Sequence, residues 1–161
     1  MLGKTHVLIA AVSALALTGH FDPPLMAGAA LGALAPDIDK SGSLITQLPV
    51  VRWFTRPASA LAERTLRHRT GTHGLFVLLG LSLGVLCLRE VFTPAAGAGF
   101  LIGYLTHLLA DALTISGVPL LWPWQVRAYG LPKPLRLRTG GRVEYVLTLA
   151  LLLAGVWCAR R

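Results

Sequence analysis

Charged residues are scarce in this sequence, and acidic residues are the scarcest of them. Only 14% of the 161 residues are charged, whereas a soluble globular domain averages about 25%. Hydrophobic residues make up 54% of the chain, and the mean hydropathy is +0.63. These values exclude a disordered chain and argue against an ordinary water-soluble domain. The length is that of one domain, residues 1–161.

Cysteine is also nearly absent. The two cysteines, Cys87 and Cys158, lie in apolar runs and lack the spacing of metal ligands. Because free cysteine is often buried as a small apolar side chain, we interpret both as packing residues.

Five apolar segments predict an all-α fold, a small polytopic bundle of membrane helices. They cover residues 5–19, 24–35, 74–92, 95–113 and 143–159. A helix that crosses a bilayer needs about 20 apolar residues, and the last three segments have that length or nearly so. The first two are shorter, and we expect them to form a helical hairpin shielded by the other helices. No small-x-small cleavage site follows the first segment, so we expect it to be retained.

The basic residues are distributed unevenly if the helices cross the membrane alternately. One side then carries the start of the chain and two long connectors, 36–72 and 115–142. That side has twelve cations, namely Lys4, Lys40, Arg52, Arg56, Arg64, Arg67, Arg69, Arg127, Lys133, Arg136, Arg138 and Arg142. The other side has three, namely Arg89, Arg160 and Arg161. Cytoplasmic loops are enriched in Lys and Arg. We therefore predict a multi-pass membrane protein with both connectors in the cytoplasm and the C-terminus on the opposite side.

Most histidines and aspartates fall on the same side as the connectors. The set comes from five separate stretches and consists of His6, Asp37, Asp39, His68, His73, His107, Asp111 and Glu144. Only His20 and Asp22 among the histidines and aspartates fall on the far side. His107 and Asp111 are four residues apart and so share one helix face. Because ionisable residues in apolar helices are costly, this convergence predicts a functional site.

Imidazole and carboxylate groups together are suitable ligands for Zn²⁺, Mn²⁺ or Fe²⁺. The set is larger than one tetrahedral ion requires, so two ions are plausible. Simpler interpretations remain open for the individual residues. His107 and Asp111 could form only a hydrogen-bonded pair, Asp37 could belong only to a turn, and His68 could be a solvated residue between two arginines. The basic connectors could serve only to set the orientation of the chain.

Several short strings resemble one known family. In order they are His6 in the first helix, LGALAPDID (31–39), HRTGTHG (68–74), GYLTHLLADALTISGVPLLWPW (103–124) and TGGRVEY (139–145). They resemble the bacterial inner-membrane family that is regulated by the SOS repressor and whose members are regarded as predicted membrane-bound metal-dependent hydrolases. That family is more remotely similar to zinc-dependent phospholipase C and the S1/P1 nucleases. The sequence departs from the expected pattern at Gly74, where a serine would follow the second histidine of HRTGTH.

The resemblance implies a divalent-metal site and a set of roles. The implied metal ligands are His6, Asp37, His73, His107 and Asp111, with Asp39 and His68 as further ligands or partners of ligands. Asp39, Glu144 and His68 are the candidate catalytic residues, with a carboxylate as general base. Zn²⁺ is the expected metal, in one to three ions, with Mn²⁺ or Fe²⁺ as alternatives.

The expected function is hydrolysis of a phosphoester in a phospholipid or a lipid-linked substrate by metal-activated water. Arg67, Arg69, Arg127 or Lys133 would bind phosphate oxygens. The alternative is a non-catalytic membrane protein with a structural or transport-related metal site. Nucleic acid is not an expected partner, because no broad platform of basic and aromatic residues is present. The lipid bilayer is the expected surrounding.

Overall fold

Five apolar helices make up most of the computed structural model, as the sequence predicts. The structure describes residues 1–40, 43–47, 72–88, 90, 93–124 and 126–160, apart from the side chains of Asp39 and Ala159. The helices are α1 (Gly3–Thr18), α2 (Pro23–Leu34), the short α3 (Leu44–Gln47), α4 (Leu75–Cys87), α5 (Pro94–Ala112) and α6 (Arg142–Ala159). Two 3-10 helices cover Ala35–Asp39 and Lys133–Leu135. Within the described residues there is no β-strand, only two isolated bridges.

Proline and glycine set the boundaries of the helical hairpin. α1 ends at Gly19, whose φ of 72° lies in the left-handed region that glycine adopts without strain. α2 begins directly with Pro23 and Pro24, at positions where the missing proline N–H needs no partner. Proline plays the same part in α5, where Thr93 caps the helix by accepting a hydrogen bond from the Ala96 amide at 3.2 Å. Residues 94–97 therefore form the first turn of α5.

α2 and α5 pack backbone against backbone. Their contact is formed by Gly28 and Gly32 on α2 and by Gly99 and Gly103 on α5. A Cβ atom on any of these glycines would overlap a backbone carbonyl of the facing helix, such as that of Ala29 for Gly103. Small residues allow membrane helices to approach in this way. The two helices thus form a rigid pair, which fixes Asp37, just after α2, relative to the end of α5.

α1 covers this pair, and α6 in turn packs on α1. Ala10 and Ala14 of α1 are fully buried against Leu25, Ala29 and Ala33 of α2. The segment between α5 and α6 folds back over the C-terminal end of α5 through backbone hydrogen bonds. Examples are Gly130 N–H to Ala112 O and Leu137 N–H to Leu113 O, both 2.9 Å. This segment closes the end of the bundle at which His107 and Asp111 lie.

One described helix, α5, is both long and apolar enough to cross a membrane. The sequence predicted crossings for the third and fifth segments as well. α4 ends at Cys87 and has 13 residues. At about 1.5 Å per residue, its length is less than the thickness of the hydrocarbon core of a bilayer. α6 has 18 residues and includes Arg142 and Glu144 in its first turn. Both helices nevertheless expose large apolar side chains such as Leu79, Leu83 and Leu153.

Candidate metal centre

Five of the predicted site residues meet in one buried cluster, which we call the His–Asp cluster. It consists of His6 from α1, Asp37 from the 3-10 helix after α2, His73 just before α4, and His107 and Asp111 from the last two turns of α5. All five are buried, and the Asp37 side chain, 13% exposed, is the most accessible. The i, i+4 spacing of His107 and Asp111 turns both side chains toward α1 and His73.

The ligand-type atoms of the cluster lie at the separations found between ligands of a common ion. His73 Nε2 and His107 Nε2 are 3.3 Å apart. Asp111 Oδ2 lies 3.7 Å from His73 Nε2 and 3.8 Å from His107 Nε2. Asp37 Oδ1 lies 3.9 Å from His73 Nε2. Two ligands of a tetrahedral zinc ion with bonds near 2.0–2.1 Å are roughly 3.3 Å apart, so small adjustments would bring these atoms around one ion.

His6 provides a test of whether a cation fits the cluster. Its ring stacks on that of His107, with centroids 3.7 Å apart and an angle of 14° between the planes. Neither ring nitrogen forms a hydrogen bond with the described residues, and Nε2 lies 3.4 Å from Asp111 Oδ1. That carboxylate oxygen also accepts a hydrogen bond from the Met1 α-amino group at 2.6 Å. A buried polar atom without a partner costs free energy, and a metal ion would satisfy the lone pair of His6.

The environment of His107 fixes which of its nitrogens faces the cluster. Nδ1 lies 2.7 Å from the carbonyl oxygen of Ala33, and because a carbonyl only accepts, Nδ1 carries the proton. Nε2 is left with its lone pair directed at the cluster, the usual arrangement for a histidine ligand. Two groups of three residues have the geometry to hold an ion, namely His6, His107 and Asp111, and Asp37, His73 and His107. They share His107, which offers one lone pair and can serve only one of them at a time.

Glu144 lies at the edge of this region and is engaged with the backbone. Its Oε1 accepts a hydrogen bond from the Leu2 amide at 2.6 Å, and its Oε2 accepts one from the Gly140 amide at 2.7 Å. The carboxylate therefore joins the N-terminal end of α1 to the turn before α6. Its predicted role as a catalytic base stays a prediction, and this geometry gives it a different task, developed below.

Other predicted residues lie outside the described part of the chain or away from the cluster. His68, Arg67 and Arg69 lie outside the described residues, as does the Asp39 side chain. Arg127 is exposed and donates a hydrogen bond to the Ser116 carbonyl at 2.7 Å, and Lys133 is exposed as well.

The sequence interpretation missed the supporting contacts of the cluster. Tyr104 lies one turn before His107 on the same face of α5, and its hydroxyl donates to the carbonyl of Thr72. The Thr72 hydroxyl lies 3.1 Å from His73 Nδ1, so this contact supports His73 from behind. The i, i+3 spacing of Tyr104 and His107 is the signal by which the tyrosine could have been found.

Comparison with known proteins identifies the family. The family model of the YdjM inner membrane protein matches residues 1–160. The chain belongs to the YdjM inner membrane protein family. Inner membrane protein YdjM of Escherichia coli is 35% identical over 170 residues, which covers 98% of this chain and 82% of that protein. Uncharacterized protein YvsG of Bacillus subtilis is 34% identical over 163 residues, 98% of this chain and 93% of its own length. No solved structure matches the chain.

Membership of the YdjM family explains the apolar composition. The chain is a membrane protein, and the names of its relatives support the predicted inner-membrane location. The exposed leucines of α4 and α6 are accordingly side chains that a lipid environment accommodates. The number of crossings, the side on which the cluster lies and the likeness to phospholipase C stay predictions.

Proposed function

We propose that this YdjM-family chain is a membrane-bound, metal-dependent hydrolase of a phosphoester in a lipid or lipid-linked substrate. The observation that carries the proposal is the His–Asp cluster, because residues from separate stretches of the chain direct ligand-type atoms at a common point 3–4 Å from one another. A divalent ion, with Zn²⁺ as first choice and Mn²⁺ or Fe²⁺ as alternatives, supplies activation of water and charge for the phosphoryl oxygens.

The chain's own residues would divide the work as follows. His6, His107 and Asp111 would hold the ion, with His73 beside His107 and Asp111, and the Ala33 carbonyl keeps His107 in the tautomer that leaves Nε2 available. Asp37 is the most accessible member of the cluster. Asp39 and His68 remain the candidates for proton transfer. The cluster lies at the end of the bundle that carries the basic connector 115–142, and the enrichment of cytoplasmic loops in Lys and Arg supports a cytoplasmic site.

The test combines metal analysis with hydrolysis by the full chain in detergent. Elemental analysis after purification without added chelator should find zinc, or another divalent metal, bound at stoichiometric level. Vesicles of phospholipid and a chromogenic phosphodiester are the substrates. His107→Ala should lose the bound metal and at least 99% of the hydrolysis. A 100-fold loss of metal affinity corresponds to about 2.7 kcal/mol of binding free energy. His20→Ala is the matched control just beyond the opposite end of α1, where the His20 side chain is exposed and lies 2.9 Å from the Thr18 carbonyl of the same turn. A wild-type protein without bound metal and indistinguishable from His107→Ala would refute the proposal.

A second candidate function has an observation in its favour. The His–Asp cluster is almost completely enclosed, and a structural or transport-related metal site needs no substrate access. This alternative predicts stoichiometric metal without hydrolysis. Metal flux into liposomes that depends on His107 would indicate transport, and loss of folding on chelation without any flux would indicate a structural ion.

A further inference from the structure

We propose that Glu144 is a positioning residue that holds the first turn of α1, and with it the His6 ring, in the His–Asp cluster. In this proposal the carboxylate positions the backbone of α1 and does not transfer a proton. Its consequence for metal affinity rests on the proposed function, whereas its consequence for the backbone of α1 does not.

Glu144 joins two remote parts of the backbone through its carboxylate. Its side chain is buried, and its two oxygens accept separate backbone amides, Leu2 at 2.6 Å and Gly140 at 2.7 Å. Hydrogen bonds to an ionised carboxylate are short and about twice as strong as neutral ones. Residues 2 and 140 are remote in sequence, so the carboxylate clamps the start of α1 to the turn that begins α6.

The backbone of Leu2 is connected to that of His6 by hydrogen bonds. Leu2 is the N-cap of α1 and has no side chain that could cap the helix. Its carbonyl accepts the amides of Thr5 at 2.9 Å and His6 at 3.2 Å. Fixing the peptide of Leu2 therefore fixes the turn from which the His6 side chain projects onto the ring of His107. The orphan amide at the N-terminal end of α1 thus finds its acceptor on another helix.

The alternative role of Glu144 is that of a general base. A general base needs a free oxygen within hydrogen-bond reach of the water that it deprotonates. Both Glu144 oxygens already accept backbone N–H groups, so a proton gained by the carboxylate would weaken these bonds. Thr148, one turn further along α6, adds to the clamp, because its hydroxyl donates to the Glu144 carbonyl at 2.7 Å and lies 3.4 Å from that of Thr5.

The first experiment needs no metal. Hydrogen exchange of the metal-free protein in detergent is compared for the wild type, Glu144→Ala and Glu144→Gln, with Glu90→Gln as a control for loss of an exposed acidic residue. Glu144→Ala should raise exchange of the Thr5 and His6 amides about tenfold, the effect of roughly one lost hydrogen bond to a charged group. Glu144→Gln keeps one acceptor oxygen, so exchange of these amides should lie between the rates of the wild type and of Glu144→Ala. Amides of Ala29 and Ala33 should stay protected, which verifies folding. Unchanged exchange at His6 in Glu144→Ala would overturn the proposal.

The second experiment measures coupling to His6. Affinity for Zn²⁺ alone is measured for Glu144→Ala in the wild-type background and in the His6→Ala and His73→Ala backgrounds. We expect Glu144→Ala to lower the affinity for Zn²⁺ about tenfold in the wild-type and His73→Ala backgrounds, which is the lower end of the range for residues that orient a metal ligand. In the His6→Ala background we expect almost no further loss of affinity. Equal losses in all three backgrounds would show general destabilisation and contradict a role through His6. If the wild type binds no zinc, the proposed function fails, while the exchange experiment still decides the role of Glu144.

Discussion

α4 and α5 are both apolar helices with several glycines, and they are used in opposite ways. Gly99 and Gly103 of α5 touch the backbone of α2, whereas Gly80 and Gly84 of α4 have no atom within 4 Å of an added Cβ among the described residues. α5 carries the buried His107 and Asp111, whereas α4 presents Leu79 and Leu83 outward. Apolar composition alone therefore does not show which helix builds the site. The helix whose backbone approaches that of α2 is the one that carries two of the buried ligand-type side chains.

The largest effect is expected from breaking the α5 side of this comparison. Gly103→Leu would drive a side chain into the Ala29 carbonyl region and separate α2 from α5, so we expect loss of folded protein, more than about 4 kcal/mol. Gly84→Leu is the matched control on α4 and should express and elute from size-exclusion chromatography as the wild type does. Equal behaviour of the two variants would show that the glycine contact does not hold the bundle together.

Metal removal should have the next largest effect, and it concerns only the end of α5. An ion present at 1,000 times its dissociation constant stabilises the folded state by about 4 kcal/mol, which corresponds to roughly 10 °C in Tm for a chain of this size. We expect chelation to lower the Tm of the wild type by that amount and to leave Asp111→Asn unchanged. Titration of Zn²⁺ should give one ion per chain, since the two candidate groups share the single lone pair of His107. Two ions of equal affinity would contradict this single-site arrangement.

The sequence predicted that the members of the His–Asp cluster lie at one level, because the assumption of alternating crossings puts the ends of distant segments there. His6, Asp37, His73, His107 and Asp111 were each assigned to the same end, and the structure brings them together. The contacts of Glu144 could not be predicted in this way. They depend on the approach of residue 2 to residue 140, and no periodicity in the chain encodes a contact over that separation. The shortness of α4 was also missed, because the predicted segment was extended through Arg89 and Glu90 to Phe92, whereas the helix ends at Cys87.

The smallest effect is expected on the outer face of α4. Leu83 is 62% exposed, so Leu83→Ala leaves no enclosed cavity and should change the free energy of unfolding by no more than about 0.5 kcal/mol. The same truncation at Leu108, 1% exposed on α5 one residue after His107, should cost about 3 kcal/mol because the surrounding helices cannot close the void. Both variants are compared by denaturant titration in one detergent. A large loss at Leu83 would mean that another chain, rather than lipid or detergent, covers α4, and the contrast between the two helices would then belong to the isolated protomer only.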